Sequence, residues 1–550
     1  MTTQAVDRPG NVLFIMCDQL RGDYLSCAGH KTLHTPNIDK LADRGVRFTN
    51  AYVQSPICGP SRMSTYTGRY VSSHGATANF VPLRIGERNI GDHLKPLGVR
   101  PVLVGKTHMM ADREGMQRLG VDPDSKIGVH HKQAGFEPFE RDDGVFPDRM
   151  MKMIGQPRYN DYLRDKGYTG GNPWHWAANA VKTESGVRSG FYNDIADRPA
   201  AVAEEDSETP YMTRRAMEFL AQDDGSTPWL LHLSYIKPHW PYIAPAPYND
   251  MFSADDVQDP VRAEAELDDT NPLMRHFMDR VAGQTFQRDE AIRKVVPTYM
   301  GLIKQIDDQL GHLFAFMEER GILDSTTIVL TADHGDYLGD HWMGDKDYFH
   351  DPSVKVPLII ADPAPEMDAT RGTVSDALVQ SIDLLPTFIE HFGGTPSRHV
   401  LDGVSLRPLL TGAADSVNDF VISEYDYHQQ VFAPDTGRGP WDCRMYMVAT
   451  ADWKYIHAPG FDPVLFDRRA DPDELNDLGR DPDHADIRQR LHAILSDWAL
   501  QYRQRETYDQ DAAARFTAFE EKAGVLIGYW DEADLIDPAN ALKLEDQPDM

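Results

Sequence analysis

Cysteine is scarce: there are four in 550 residues, Cys17, Cys27, Cys58 and Cys443. That is too few for a disulfide framework, and the expectation is a reduced, cytoplasmic chain. Long apolar runs are missing as well. No stretch of ~18 apolar residues occurs, so no membrane span is expected. The opening MTTQAVDRPG has no charged n-region followed by an apolar h-region, so no signal peptide is expected. Positive charge is in deficit, with 55 Lys+Arg against 86 Asp+Glu and a net charge of −31. A chain this acidic does not track nucleic-acid phosphates or anionic lipid through bulk electrostatics. If its substrate is an anion, local cations or a metal must reverse the field at the site. Internal repeats and low-complexity tracts are absent too.

What is present is a globular composition. Hydrophobic residues make up 41% and aromatics 10%, enough for a sizeable core. At ~100–200 residues per domain, the length predicts two or three domains, or one large α/β domain with an appendage. Short apolar runs at 11–16 (NVLFIM), 101–104 (PVLV), 229–233 (WLLHL), 327–330 (TIVL) and 356–360 (VPLII) read as buried strands. Helical patterns lie between them, at 37–44, 213–220 and 299–316. Strands alternating with helices predict an α/β fold with a large, mainly parallel sheet flanked by helices. The segment from about 130 to 200 is rich in Gly, Asp, Asn and Trp and poor in periodicity, and reads as long loops or an insertion. From about 415 the pattern changes to short strands (420–424, 445–450, 454–457) and a helix (485–502), a smaller C-terminal α+β domain. The expected division is therefore 1–414, 415–502 and a charged extension 503–550. That extension contains one apolar stretch, VLIGYW at 525–530, which is expected to contact a second subunit or pack on its own.

Four of the apolar runs end in polar residues of unusual type. The first leads to Cys17, Asp18 and Gln19, and the second to Gly105, Lys106, Thr107 and His108. The third leads to Lys237, Pro238, His239 and Trp240, and the fourth to Thr331, Ala332, Asp333 and His334. In a parallel sheet these carboxyl ends share one edge, where α/β proteins bind ligands. Asp18, Gln19, Asp333 and His334 form an oxygen-rich donor set with one imidazole, suited to Ca²⁺ or Mn²⁺ rather than a thiolate zinc site. Alone, the Asp-His of ADHGD reads equally as a turn pair or a helix cap. Cys58 precedes Pro60, Ser61 and Arg62 at an expected helix start, where a thiol near an arginine is acidified. The bland alternative is a small buried thiol. A thiol-phosphatase loop needs an arginine where this chain has Ser64.

Here a resemblance becomes specific. CGPSR at 58–62 resembles the signature of the type I, formylglycine-dependent sulfatases of the alkaline phosphatase superfamily. In that family the cysteine is oxidised to 3-oxoalanine (formylglycine). The strand ending in Asp18, GKTH at 105–108, KPH at 237–239, TADHGD at 331–336, Lys346, SIDLLPT at 381–387 and LFDRRADPDELNDL at 465–478 follow in the family's order. The similarity spans roughly residues 10–500. Many sulfatases carry two adjacent acids where this chain has Asp18-Gln19; the neutral Gln19 is similar to the phosphonate monoester hydrolase and choline sulfatase branches.

The resemblance implies an alkaline phosphatase-like fold and hydrolysis of sulfate monoesters, aryl sulfates foremost, with promiscuity toward phosphonate monoesters and phosphodiesters. The nucleophile would be the geminal diol of formylglycine 58. One divalent cation, Ca²⁺ or Mn²⁺, would be held by Asp18, Gln19, residue 58, Asp333 and His334. Lys106 and Lys346 would hold the sulfuryl group, His239 would protonate the leaving oxygen, His108 would take a proton, Arg62 would hold residue 58, and Asn79 would bind substrate. Taken singly, Lys106, Lys346 and His108 read as solvated or packed side chains, and Asn79 as a turn residue. His74, His93, His341 and His350 are left at such readings, with His341 at the border of the pocket. Trp174, Trp176, Trp240 and Tyr242 suggest an aromatic-friendly pocket. The implied partners are a small-molecule sulfate or phosphonate ester, a formylglycine-generating maturation enzyme and a second copy of the chain in a homodimer or larger homo-oligomer, with neither nucleic acid nor membrane. Two competing readings stand: phosphonate monoester or phosphodiester hydrolysis as the main activity, and a non-catalytic anion-binding protein that keeps the fold.

Overall fold

The apolar run that opens the chain forms a strand buried on both faces. Val12, Leu13, Phe14, Ile15 and Met16 are all withdrawn from solvent, each contributing about 1.5–3 kcal/mol of burial where the side chain is large. Such a strand needs neighbours on both edges and cover on both faces, and it has them. In this computed structural model, which describes residues 10–268, 270–501, 507–535, 537 and 539, and of Met153 and Ile154 the backbone alone, that strand lies near the middle of an eight-stranded sheet. Tyr502, the last residue of the expected helix 485–502, and residues 503–506, 536, 538 and 540–550 of the expected extension lie outside the described residues.

Along the chain come β1 (Asn11–Asp18), β2 (Val46–Tyr52), β3 (Arg100–Gly105), β4 (Glu137–Arg141), a hairpin of β5 (Ala180–Thr183) and β6 (Gly186–Ser189), then β7 (Trp229–Pro238), β8 (Thr326–Ala332), β9 (Lys355–Ala361) and β10 (Thr373–Gln380). The main sheet has the order β10-β2-β9-β8-β1-β7-β3-β4. Only β9 runs antiparallel to its neighbours β2 and β8; the other pairings are parallel. The carboxyl ends of β1, β3, β7 and β8 therefore share one edge. The helix Glu208–Gln222 and the 31-residue helix Asp289–Glu319 pack against β7 and each other.

The region from 130 to 200 departs from the loop expectation. Its residues 137–141 form β4, the edge strand of the main sheet, and the helices Asp148–Ile154 and Arg158–Asp165 and the β5–β6 hairpin follow. An edge strand has one neighbour, and Glu137 and Pro138 remain exposed, so no apolar run announces it.

A second sheet of β11 (Val421–Asp426), β12 (Arg444–Ala449), β13 (Trp453–His457) and β14 (Val464–Asp467) is an antiparallel meander. The helix Ala485–Leu500 covers it, with Leu491, Leu495 and Trp498 packed on Ile422, Val448, Tyr455 and Leu465. Among the described residues no helix is long and apolar enough to cross a membrane.

Candidate active site

The polar doublets at the ends of β1 and β8 meet the first turn of the helix Cys58–Thr67. All ten residues of that helix are buried. Cys58 Sγ lies 3.0 Å from His334 Nε2 and 3.8 Å from Asp18 Oδ1. His334 Nε2 is in turn 3.7 Å from an oxygen of Asp18 and of Asp333. One donor atom from each of Asp18, Cys58, Asp333 and His334 falls within 4.8 Å of the others.

Arg62, one turn into the helix, ties this group together from beneath. Its Nε donates to Asp333 Oδ2 (2.7 Å), one terminal nitrogen to Asp18 Oδ2 (3.1 Å), and the other to the Lys106 carbonyl oxygen (2.9 Å) and Ser234 Oγ (2.7 Å). All of Arg62, Asp18 and Asp333 are inaccessible to solvent. Removing one member of such a buried set typically costs about 3–5 kcal/mol, because a charge is left unpaired.

Lys106 reaches the same centre from β3, with Nζ 2.5 Å from Asp18 Oδ2. Gly105 before it has φ 112°, and a Cβ there would sit 2.0 Å from the Ser234 carbonyl oxygen, so only glycine lets β3 approach β7 this closely. His108 follows in the left-handed region (φ 53°). Asp143 fixes that turn by accepting from the backbone N–H of Thr107 (3.0 Å) and His108 (2.9 Å).

From β7, His239 donates through Nδ1 to the Trp240 carbonyl oxygen at 2.6 Å, and its Nε2 accepts from Lys346 Nζ at 3.0 Å. Lys237, next to last in β7, is buried. Its ammonium donates to the carbonyl oxygens of Pro241 (2.8 Å) and His239 (3.4 Å) and to Asn179 Oδ1 (3.1 Å), bracing the loop that carries His239. Lys346 also donates to Gln19 Oε1 (2.8 Å).

The electrostatics follow from burial set against charge. Burial pushes the Cys58 thiol up, but Lys106, Lys346 and His334 together outweigh it and hold the group well below its usual range. Burial likewise pushes Asp18 up, and Lys106, His239 and Arg62 reverse that, so Asp18 is held low. Burial lowers His334, whereas Asp333 and Cys58 raise it to about 9. His239 is lowered, first by burial and then by Lys346. The cluster thus draws positive charge to its centre. His334 Nδ1 donates to the Gly335 carbonyl oxygen (3.0 Å), which turns Nε2 inward. Two carboxylates, a thiol position and an inward imidazole nitrogen within one small buried volume fit a divalent cation.

The structure therefore brings together Asp18, Cys58, Arg62, Lys106, His239, Asp333, His334 and Lys346. Asn79 stands beside them, its Oδ1 accepting from the Gly59 N–H at 2.8 Å. Gln19 is placed differently from Asp18: its side-chain oxygen is on Lys346, and its Nε2 donates to Asp336 Oδ2 at 2.5 Å. His341 is not at this centre; it stacks on His350 (centroids 3.8 Å apart) and its Nδ1 is 2.7 Å from Glu266. Trp174 is core, donating to Glu208, and Trp176 is half-exposed on Asp148. Trp240 borders the site, with Lys346 Nζ 5.5 Å from its ring centroid. Tyr242 is buried, donating to Asp336 (2.6 Å). Sequence reasoning brought Lys237 to the sheet edge without a role of its own and assigned none to Asp143, Asp336 or Asp345. Their signal was position alone: Lys237 and Asp336 lie inside KPH and TADHGD, and Asp345 adjoins Lys346.

A sequence profile described as Sulfatase matches residues 10–394, and one described as N-sulphoglucosamine sulphohydrolase, C-terminal, matches residues 339–501. The multifunctional alkaline phosphatase superfamily protein PehA of Trinickia caryophylli is 32% identical over 519 residues, covering 90% of this chain and 96% of its own. The arylsulfatase of Clostridium perfringens is 25% identical over 500 residues, covering 88% and 93%. Among solved structures, the phosphonate monoester hydrolase of Agrobacterium radiobacter superposes with a TM-score of 0.76 at 28% identity, covering 89% of this chain and 95% of its own.

Proposed function

The chain belongs to the sulfatase family and is an enzyme of that kind, and on that premise we propose that it hydrolyses sulfate monoesters, aryl sulfates foremost, at the centre formed by Cys58. The observation that carries this reading is the meeting of Asp18, Cys58, Asp333 and His334 with three buried cations, Arg62, Lys106 and Lys346. A strongly acidic chain has here assembled the local positive field that an anionic ester requires.

Residue 58 in its formylglycine form would supply the nucleophile, and a divalent cation, Ca²⁺ or Mn²⁺, held by Asp18, Asp333, His334 and residue 58 would supply Lewis acidity to it. Gln19 would join that set by giving up its contact with Lys346. Lys106 and Lys346 take the equatorial oxygens of the sulfuryl group and the charge that develops on them. Arg62 keeps Asp18 and Asp333 in register with the start of the helix. His239 and Lys346 hold one proton between Nε2 and Nζ, and that proton goes to the leaving oxygen. His108, held in its turn after Lys106 by Asp143, would take the proton that residue 58 gives up as sulfate departs. Asn79, fixed by Gly59, turns its amide nitrogen to the substrate.

Phosphonate monoester or phosphodiester hydrolysis is the second reading. Gln19 in place of a second acid favours it, as does the likeness to a phosphonate monoester hydrolase structure and to a multifunctional relative. Relative kcat/KM on matched aryl sulfate and aryl phosphonate esters separates the two: the first reading predicts the sulfate ahead, and a phosphonate preference replaces it with the second.

We further divide the chain into a catalytic body (1–414), an α+β subdomain (415–502) and an extension (503–550), and assign the extension to contact with a second copy. In its described part Ile527 and Trp530 are 77% and 91% exposed, so the described residues of their own subunit leave these side chains uncovered. Sedimentation at micromolar concentration should give a dimer or larger; a mass near 62.0 kDa contradicts this. The free cysteines Cys17, Cys27, Cys58 and Cys443 agree with a cytoplasmic, reduced setting, in which a maturation enzyme would act on Cys58.

A further inference from the structure

A cleft of about 550 Å³ opens beside the catalytic centre, between the turn at 190–194, the loop after His239 and the helix Val281–Phe286. Its walls carry Phe191, Tyr192, Trp240 and Val281, and Asp345 lines it as well. Phe191, Tyr192 and Val281 are 36%, 61% and 81% exposed, so three large apolar side chains face solvent around one concavity. Such exposure, concentrated at a cleft, marks a binding surface for an apolar ligand.

The cleft adjoins the reacting atoms. Asp345 Oδ1 is 3.5 Å from Lys346 Nζ, and Trp240 lies between that lysine and Phe191, whose ring centroid is 6.0 Å from its own. The carboxylates of the cleft are already engaged: Asp194 accepts from Arg188 at 2.8 Å and Asp345 from the Trp240 indole N–H at 3.1 Å. Asn193, Thr285 and Arg288 line the cleft as well, but its large walls are the rings of Phe191, Tyr192 and Trp240, which suit a flat apolar ligand.

We propose that this cleft holds the leaving group and selects a planar aromatic alcohol of two fused or linked rings. The proposal rests on the ester-hydrolase reading of the adjoining centre and names the alcohol half of its substrate. A single phenyl ring fills only part of a cleft of this size; a second ring reaches Phe191 and Tyr192 and buries further apolar surface, worth about a tenfold rise in kcat/KM.

The test is a series of substituted phenyl sulfates, which sets the line of log kcat/KM against leaving-group pKa, together with 2-naphthyl and 4-biphenylyl sulfate. The two-ring esters should lie about tenfold above that line for the wild type. In Phe191→Ala and Tyr192→Ala they should fall back onto it, while the phenyl line stays in place; Tyr192 is exposed, and because Phe191 also packs on Trp174 and Trp240, an unchanged Tm and an unmoved phenyl line show that its variant keeps the fold. Two-ring esters on the line in the wild type, or an elevation that survives the double variant, overturns the proposal. Failure of the ester-hydrolase reading looks different, since no sulfate or phosphonate ester would then turn over. In that case 2-naphthyl sulfate binding to Cys58→Ala, read by tryptophan fluorescence, decides: binding that Tyr192→Ala weakens supports the cleft, and absence of binding overturns it.

Discussion

Lys346 Nζ donates to His239 Nε2 at 3.0 Å, while Nδ1 of the same ring donates to the Trp240 carbonyl oxygen at 2.6 Å. The imidazole is thus neutral, with its outer nitrogen fed by an ammonium group. A ring lowered in pKa by burial and by Lys346 carries no spare proton of its own; the pair carries one. A general acid matters only where the leaving group needs a proton. His239→Ala should therefore slow phenyl sulfate by about 10²-fold or more and 4-nitrophenyl sulfate far less, steepening the dependence of rate on leaving-group pKa. Rates for a graded series of substituted phenyl sulfates check this. Parallel lines for wild type and variant would exclude the acid role and leave His239 as a group that binds sulfate oxygen.

The donor cluster leads to a metal prediction. Elemental analysis of active enzyme should find one divalent cation per chain, and Asp333→Ala should lose it. Because a ligand bound only by the native state stabilises that state, chelation should lower Tm in the wild type and leave Asp333→Ala unmoved. Active enzyme free of divalent metal contradicts the assignment, as does unchanged metal content in the variant.

A third prediction concerns stability and pH. His232 lies between Phe14 and Phe136, with ring centroids 4.5 and 5.3 Å away, and its Nε2 is 2.8 Å from the Tyr66 hydroxyl. Burial, with Arg62 adding to it, lowers its pKa to about 3. The folded state holds the neutral ring, so the stability it contributes is fully present above the unfolded value of ~6.5 and is lost as pH falls toward 3. The slope for one such group approaches about 1.4 kcal/mol per pH unit. The urea midpoint should fall between pH 7 and pH 5, and by less in His232→Gln. An identical fall in the variant would show that His232 takes no part.

Much of the site was legible because four apolar runs end abruptly in Asp18, Lys106, His239 and Asp333, and a buried parallel strand has no other reason to end so. The reversed direction of β9 was not legible, since an apolar run such as VPLII carries no sense of direction. β4 was hidden because an edge strand can leave Glu137 and Pro138 in solvent. Lys237 and Asp143 act by holding backbone atoms of other residues, Pro241 and His108, and nothing in one sequence shows which carbonyl or N–H a charged side chain will meet. Nor does the sequence show that the Gln19 backbone lies in the left-handed region (φ 65°), with its side-chain oxygen accepting from Lys346.

The account turns on residue 58. Mass mapping of the peptide that contains it, on the same preparation used for 4-nitrophenyl sulfate turnover, tests that directly. The prediction is an aldehyde in place of the thiol, activity in proportion to the converted fraction, and a loss on the order of 10³-fold or more in a folded Cys58→Ala. Near-wild-type turnover by a clean Cys58→Ala preparation, or full activity with the thiol intact, would contradict it.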